Sequence, residues 1–346
     1  MGGIVKTIKK IIKKVVKVIT KIAGAIMQPF GFSPDIPDFG LDEGINQESA
    51  IRGVLLNKDS AIANIPVVYG TRMIGGVRVF VSTNGTNNKY LFVDMVLAEG
   101  ECNGYTKLLI ADTEVPLNSY AHGVVASPSS GDFKDRMKVQ WFAGTDTQVS
   151  ASDGSGVFAN IDSSGGASGW TTQHTLSGLS HLACRFEWKE ITDQASANNN
   201  PYTGGIPNIK VVLQGKKIYD ATTLGSTHTT AYADETVTFS NNPVAVLLDY
   251  MRNSRYGKGL PNSVFDWATW NTAADLCDQV ITYEASTTGK SFTCDAVVDT
   301  SLSLMSNIKI ILSGFRGIMP YTQGKYKLMV EHAGDDTDIT STSTPS

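Results

Sequence analysis

Residues 77–111, VRVFVSTNGTNNKYLFVDMVLAEGECNGYTKLLIA, decide the fold class. Val77-Arg78-Val79-Phe80-Val81 alternates or runs apolar, and further strands are expected at Lys89 to Ala98 and Lys107 to Ala111. Asn84-Gly85 and Asn103-Gly104 separate them as turn dipeptides. The same pattern extends on both sides, from Ile62 to about Tyr219, with strands expected at Met137 to Phe142, Leu182 to Trp188 and Ile209 to Leu213. Turns at such intervals argue for barrels or sandwiches, not a parallel α/β sheet. Two polar stretches, Thr145 to Ser177 and Thr192 to Gly205, read as long surface loops, where partner contacts concentrate; loops without a partner are an equal alternative.

From Asp220 the pattern turns mixed. Asn242-Pro243 is an N-cap followed by an N1 proline, and Val244, Leu247, Leu248 and Met251 make one apolar face of a helix that stops near Asn253. A second helix is expected over about Asp266 to Ile281, burying Trp267, Trp270, Ala274 and Cys277 or their neighbours. A third, about Ser301 to Phe315, presents Leu304, Met305, Ile308, Ile311, Leu312 and Phe315, and is ended by Gly317. A strand over Lys325 to Glu331 follows, then a tail without apolar pattern. The fold class is thus mainly β with a C-terminal α+β part. Residues 61–220 form the β region, with inserted loops at about 145–177 and 192–205. Residues 221–333 form the mixed α/β region and 334–346 a linker or disordered tail.

Ahead of this body, residues 1–27 read as a basic amphipathic helix and 28–60 as a Pro/Gly-rich extended tether. Ile4, Ile8, Ile11, Val15, Val18 and Ile22 recur at alternating spacings of four and three, the seam of a coiled coil. β-Branched residues at both a and d favour trimers and higher states. Lys6, Lys9, Lys10, Lys13, Lys14, Lys17 and Lys21 form the basic face, with no acid before Asp35. Helix packing, on itself or on a partner, competes with a membrane-surface helix and with a packed surface helix. A signal peptide is disfavoured by the lysines that interrupt its core, and a bilayer span by their insertion cost.

The 346 residues suit two or three domains, and 41% hydrophobic content suffices for a substantial core. The first 21 residues carry +7 in a chain of net −4, so the remainder carries −11. That split argues against nucleic-acid binding by the body. Cys102, Cys184, Cys277 and Cys294 show no C-x-x-C pair and read as buried thiols of a protein made in a reducing cytoplasm; a Cys277–Cys294 bridge is the lesser reading.

Catalytic patterns fail. Gly289-Lys290-Ser291 ends like a phosphate loop, but Glu284 stands where its first glycine belongs. Ser155 lacks glycines two residues away on either side, where Asp153 and Val157 stand. The five histidines, His122, His174, His181, His228 and His332, have no paired ligand spacing; His181 reads as a hydrogen-bonded core or rim residue. Asp335, Asp336 and Asp338 lack the glycine and glutamate of a calcium loop. No enzymatic activity, cofactor or metal is therefore expected.

Ile65 to Phe80 (IPVVYGTRMIGGVRVF) and the stretch from Leu91 (LFVDMVLAEGECNGYTKLLIAD) resemble the hub region of the central tail-tip, or host-specificity, protein of lambda-like long-tailed bacteriophages. More specific are Asn241 to Pro261 (NNPVAVLLDYMRNSRYGKGLP), ADLCDQV, and Phe292 to Glu331, supported by Gly144-Thr145-Asp146-Thr147-Gln148 and Pro207 to Asp220. The residues carrying the motif are Asn242, Pro243, Tyr250, Arg255, Tyr256, Gly257, Cys277 and Cys294. The resemblance implies β-barrel tail-hub domains plus an α/β domain, in a homotrimeric ring that closes the distal tail tube. Implied partners are distal tail and tail-tip ring proteins, and tail-fibre or receptor-binding proteins. The implied location is the distal tail tip of the virion, after assembly in the host cytoplasm. The N-terminal helices would lie in the lumen against each other and the tape-measure protein; the alternative is host membrane contact during DNA ejection. Relatives usually continue past the hub into receptor-binding modules, so receptor recognition is expected to belong to a separate protein.

Overall fold

The computed structural model describes residues 63–160, 165–188, 201, 206–219, 235–283 and 287–331. The basic helix, the tether, the tail and nearly all of 192–205 lie outside them.

Eleven strands form the β region: β1 (Val67–Tyr69), β2 (Thr71–Ile74), β3 (Val77–Asn84), β4 (Tyr90–Glu99), β5 (Cys102–Ile110), β6 (Thr113–Glu114), β7 (Val125–Ala126), β8 (Met137–Phe142), β9 (Leu179–Glu187), β10 (Ile209–Ile218) and β11 (Thr238–Phe239). Among the described residues, ten of them, all but β1, make two five-stranded antiparallel sheets. One has the order β3-β4-β9-β8-β7; the other is β11-β10-β5-β6, with β2 also on β10. Both turn one face to a shared core containing Val93, Met95, Leu108, Trp141, Leu182 and Val211, a half-barrel arrangement.

The C-terminal region carries α1 (Pro243–Arg252), α2 (Trp267–Asp278), the hairpin β12 (Val280–Tyr283) and β13 (Thr287–Lys290), β14 (Ala296–Val298), α3 (Leu304–Gly314), and the short strands β15 (Gly317–Ile318), β16 (Tyr321–Thr322), β17 (Lys325–Tyr326) and β18 (Met329–Val330). Its own core gathers α1 with Trp270, Cys277, Ile311 and Phe315. β1 joins the two regions because its side chains alternate. Val68 enters the half-barrel core while Val67 and Tyr69 enter the helical one. β1 pairs with β14, Val68 opposite Val297. Beside it, a Cβ on Gly215 of β10 would stand 2.2 Å from the Val68 carbonyl oxygen, so only glycine admits this approach.

Several boundaries differ from those expected. Asn103-Gly104 is not a turn: it lies inside β5, where Asn103 Nδ2 donates to Gln214 Oε1 of β10 at 2.8 Å. The chain reverses instead at Gly100, whose φ is +84°. α2 stops at Asp278 because Gln279 is extended and the β-branched Val280 and Ile281 enter the hairpin. α3 begins at Leu304, capped by Ser303, whose Oγ accepts from Ser306 N at 3.2 Å. After its end Arg316, not Gly317, takes the positive φ. Gly317 is needed for space, since a Cβ there would meet the Phe315 ring at 2.6 Å. The expected strand over 325–331 divides into β17 and β18, because Leu328 turns inward between them and is buried.

The stretch 145–177 packs where an open surface loop was expected. Its described residues cover the outer face of the first sheet with Val157, Phe158 and Trp170, against Phe92 and Phe142. Phe80, Phe158 and Trp170 meet with ring centroids 4.9–5.7 Å apart. Gln148 clasps the ends of the stretch. Its Oε1 accepts from Gly144 N at 2.9 Å, and its Nε2 lies 2.8–3.1 Å from the carbonyls of Thr175, Leu176 and Leu179. Ser150 Oγ, also buried, accepts from Trp170 Nε1 at 3.0 Å. Phe158→Ala is therefore expected to lower unfolding free energy by about 3–5 kcal/mol. Urea denaturation of the purified chain checks this; a change within about 0.5 kcal/mol, typical of exposed sites, would mean the cover is not part of the fold.

Candidate functional site

α1 is buried at all ten positions, and one of them is Asp249. A carboxylate inside an apolar helix needs donors from elsewhere. Asp249 Oδ2 accepts from Tyr69 Oη of β1 at 2.6 Å and from Tyr256 Oη at 3.0 Å. Lys216 Nζ of β10 reaches Oδ1 at 2.8 Å and Oδ2 at 2.9 Å, and donates to Tyr256 Oη at 2.6 Å. Burial, and then the neighbouring carboxylate, push the Tyr69 phenol well above its ordinary pKa, so it stays a donor. With three donors engaged, the carboxylate works as a clasp between the half-barrel and helical cores.

Six of the eight residues that carry the resemblance lie on α1 or directly beside it. Asn242 caps α1, its Oδ1 accepting from Val244 N at 2.9 Å, while its Nδ2 donates to Ala274 O of α2 at 3.0 Å. Pro243 follows at the first helical position. Tyr250 is buried; its hydroxyl accepts from Asn307 Nδ2 of α3 at 3.0 Å, and its ring lies 6.3 Å from that of Tyr256. Gly257 packs so close to α1 that a Cβ would stand 1.7 Å from the Tyr250 carbonyl oxygen. Arg255 is outermost, its Nε 3.0 Å from Glu99 Oε1. Burial raises the Glu99 pKa, against the pull of Arg255 and then Lys216. Tyr250, Arg255, Tyr256, Gly257 and Glu99 line a cleft of about 470 Å³, whose lining also includes Asn64, Ile65 and Leu302.

Cys277 and Cys294 lie apart from the cleft, at the base of the β12–β13 hairpin, where Phe292 N donates to Cys277 O at 3.1 Å. Both are free thiols, which corrects the bridge reading, and burial pushes both up to about 12. His181 is a core residue: Nδ1 lies 3.0 Å from Asp94 Oδ2, and the ring stacks on Phe142 at 4.4 Å. Gly289 and Lys290 belong to β13 and not to a phosphate loop. Among the described residues, no three His, Cys, Asp or Glu side chains are grouped to hold a metal, and no helix is long and apolar enough to cross a membrane. The residues Ile4 to Ile22 expected at a helix interface, and the lysines Lys6 to Lys21, lie outside the described residues.

Sequence reasoning missed Asp249, Lys216, Tyr69 and Glu99. Asp249 had a signal, a lone acid in VAVLLDYM; Lys216 lies beyond the strand expected at Ile209 to Leu213, and nothing beside it in sequence marks it.

No family model matches the chain. Its sequence is similar to "Baseplate hub protein pb3" of Escherichia phage T5, at 23% identity over 337 residues, covering 82% of this chain and 34% of that protein. The chain thus spans about a third of the length of that relative. The fold is similar to a chain in the solved virion of a native gene transfer agent particle, with a TM-score of 0.45 and 10% identity, covering 79% of this chain and 54% of that one. In sequence the chain therefore resembles a phage baseplate hub protein.

Breaking a buried pair is costly, whereas replacing it whole with apolar groups is often nearly neutral. Lys216→Met or Asp249→Leu alone is expected to destabilise by about 3–5 kcal/mol. The double variant should recover more than half of the summed loss. A denaturation cycle measures this; additive losses would mean that the two groups act independently.

Proposed function

We propose that this chain is a structural, non-enzymatic hub protein of a phage tail tip. Three copies form a ring that closes the tail tube and connects distal tail and tail-tip ring proteins to tail-fibre or receptor-binding proteins. The observation that carries this reading is the alignment with a phage baseplate hub protein across 82% of the chain. The clasp fits it as a structural element that fixes one region of a ring subunit against the other.

The three N-terminal helices lie along the lumen, packed through Ile4, Ile8, Ile11, Val15, Val18 and Ile22. β-Branched residues at both seam positions support the three-fold state. Lys6 to Lys21 then require acidic neighbours, which the tape-measure protein supplies. Ile8→Asp or Ile11→Asp should block tip assembly and leave the body folded. Normal infectious tails from either variant would remove the lumen bundle from this account.

The width of the apolar face, extended by Val5, Ile12, Ile19 and Ile26, favours a second role in the host membrane during DNA ejection. A peptide of residues 1–26 is expected to gain helical circular dichroism on anionic vesicles, and salt should weaken the effect. No binding at low salt counts against membrane entry.

A further inference from the structure

We infer that Lys216 and Asp249 condense, so that an isopeptide bond between Nζ and Cγ replaces the ion pair of the clasp with a covalent link from β10 to α1. The bond needs only the clasp, whether or not the chain forms a ring.

Contact, exclusion of water and a route for protons together favour condensation over a resting ion pair. Nζ lies 2.8 Å from Oδ1 and 2.9 Å from Oδ2. With both oxygens that close, the carbon between them is roughly 3 Å from Nζ, the separation of a near-attack pair. The Lys216 side chain is 14% exposed and that of Asp249 4%. By contrast, Lys107 and Glu114 are 52% and 49% exposed, where hydration stabilises both charges. A buried ion pair carries a desolvation penalty. The amide product has no charge to desolvate.

Tyr256 supplies the proton route. Its Oη accepts from Lys216 Nζ at 2.6 Å and donates to Asp249 Oδ2 at 3.0 Å. One hydroxyl thus links the atom that must lose protons to the oxygen that must gain them. Tyr69 Oη, 2.6 Å from the same oxygen, marks Oδ2 as the leaving group. Because burial and the neighbouring carboxylate raise its pKa, Tyr69 keeps its proton and polarises Oδ2 throughout.

The ammonium first passes one proton through Tyr256 to Oδ2, leaving a nucleophilic amine and a carboxylic acid. The Nζ lone pair then forms the N–C bond, and the carbonyl π electrons move onto Oδ1. A second proton follows the same route from Nζ to Oδ2. The Oδ1 electrons restore the double bond while the Cγ–Oδ2 bond breaks with its electron pair, and Oδ2 departs as water. Nζ keeps one hydrogen as the amide N–H, the two opposite charges vanish, and no oxidant, reductant or co-reactant is needed. Freshly refolded chain still carries the ion pair, the form to which the denaturation cycle above applies.

Intact mass of the full chain, followed from refolding onward and measured after denaturation, tests this. The native chain is expected to become lighter by the mass of one water. After trypsin, the peptides 211–217 and 218–252 should stay joined through Lys216 and Asp249. Chain held in urea, and the Lys216→Arg variant, should keep the full mass, because neither presents an amine to the buried carboxyl. Tyr256→Phe should slow the loss by about 10²-fold or more, the usual contribution of a positioned proton carrier. A native chain that keeps its full mass, a loss of water without joined peptides, as a succinimide would give, or an equal loss in urea overturns the bond. Loss at the native rate in Tyr256→Phe overturns the proton route.

Discussion

The burial of Asp249 inside α1 is the constraint on which the rest depends. A carboxylate there is tolerable only if donors arrive from other parts of the chain, and they come from β1, β10 and the segment after α1. Three parts of the chain distant in sequence, β1, β10 and α1 with the segment after it, must be in place together. Such a cluster contributes little net stability compared with an apolar replacement, but it penalises alternative arrangements in which a partner is missing. The helical core supplies the bulk of the attraction, while the polar cluster selects one way of seating it on the half-barrel.

The same logic of covering each exposed face explains the first sheet. Its inner face meets the second sheet, and its outer face would be bare without the glycine- and serine-rich stretch that follows β8. Composition disguises the role of that stretch. Its few large residues, Phe158 and Trp170, do the burying, and the small residues around them allow tight turns. Gln148 then satisfies carbonyl groups that closing the stretch would otherwise strand.

How much was legible in the sequence follows from which signals are local. Met137–Phe142 alternates as far as Trp141, and Asn242-Pro243 is a capping signal within two residues; both elements stand where the pattern puts them. Where pairing partners are distant, local signals mislead. Asn103-Gly104 is turn chemistry by composition, but β10 draws it into a strand. The end of α2 is set by the hairpin and not by a helix stop. Of the site, the motif positions around α1 were named because they resemble a family pattern. Lys216 and Tyr69 were not, because nothing in their neighbourhoods points toward an acid 33 and 180 residues away.

Gly215 bears on how the molecule carries a mechanical load. Its missing side chain lets the main chain of β10 lie against that of β1, with Gly215 N donating to Gly70 O at 2.7 Å. Side-chain contacts yield under load by changing rotamer, whereas backbone against backbone has no such freedom. Tension or torque applied to the helical region thus passes into the half-barrel through a stiff joint, and deformation is diverted to softer parts of the chain.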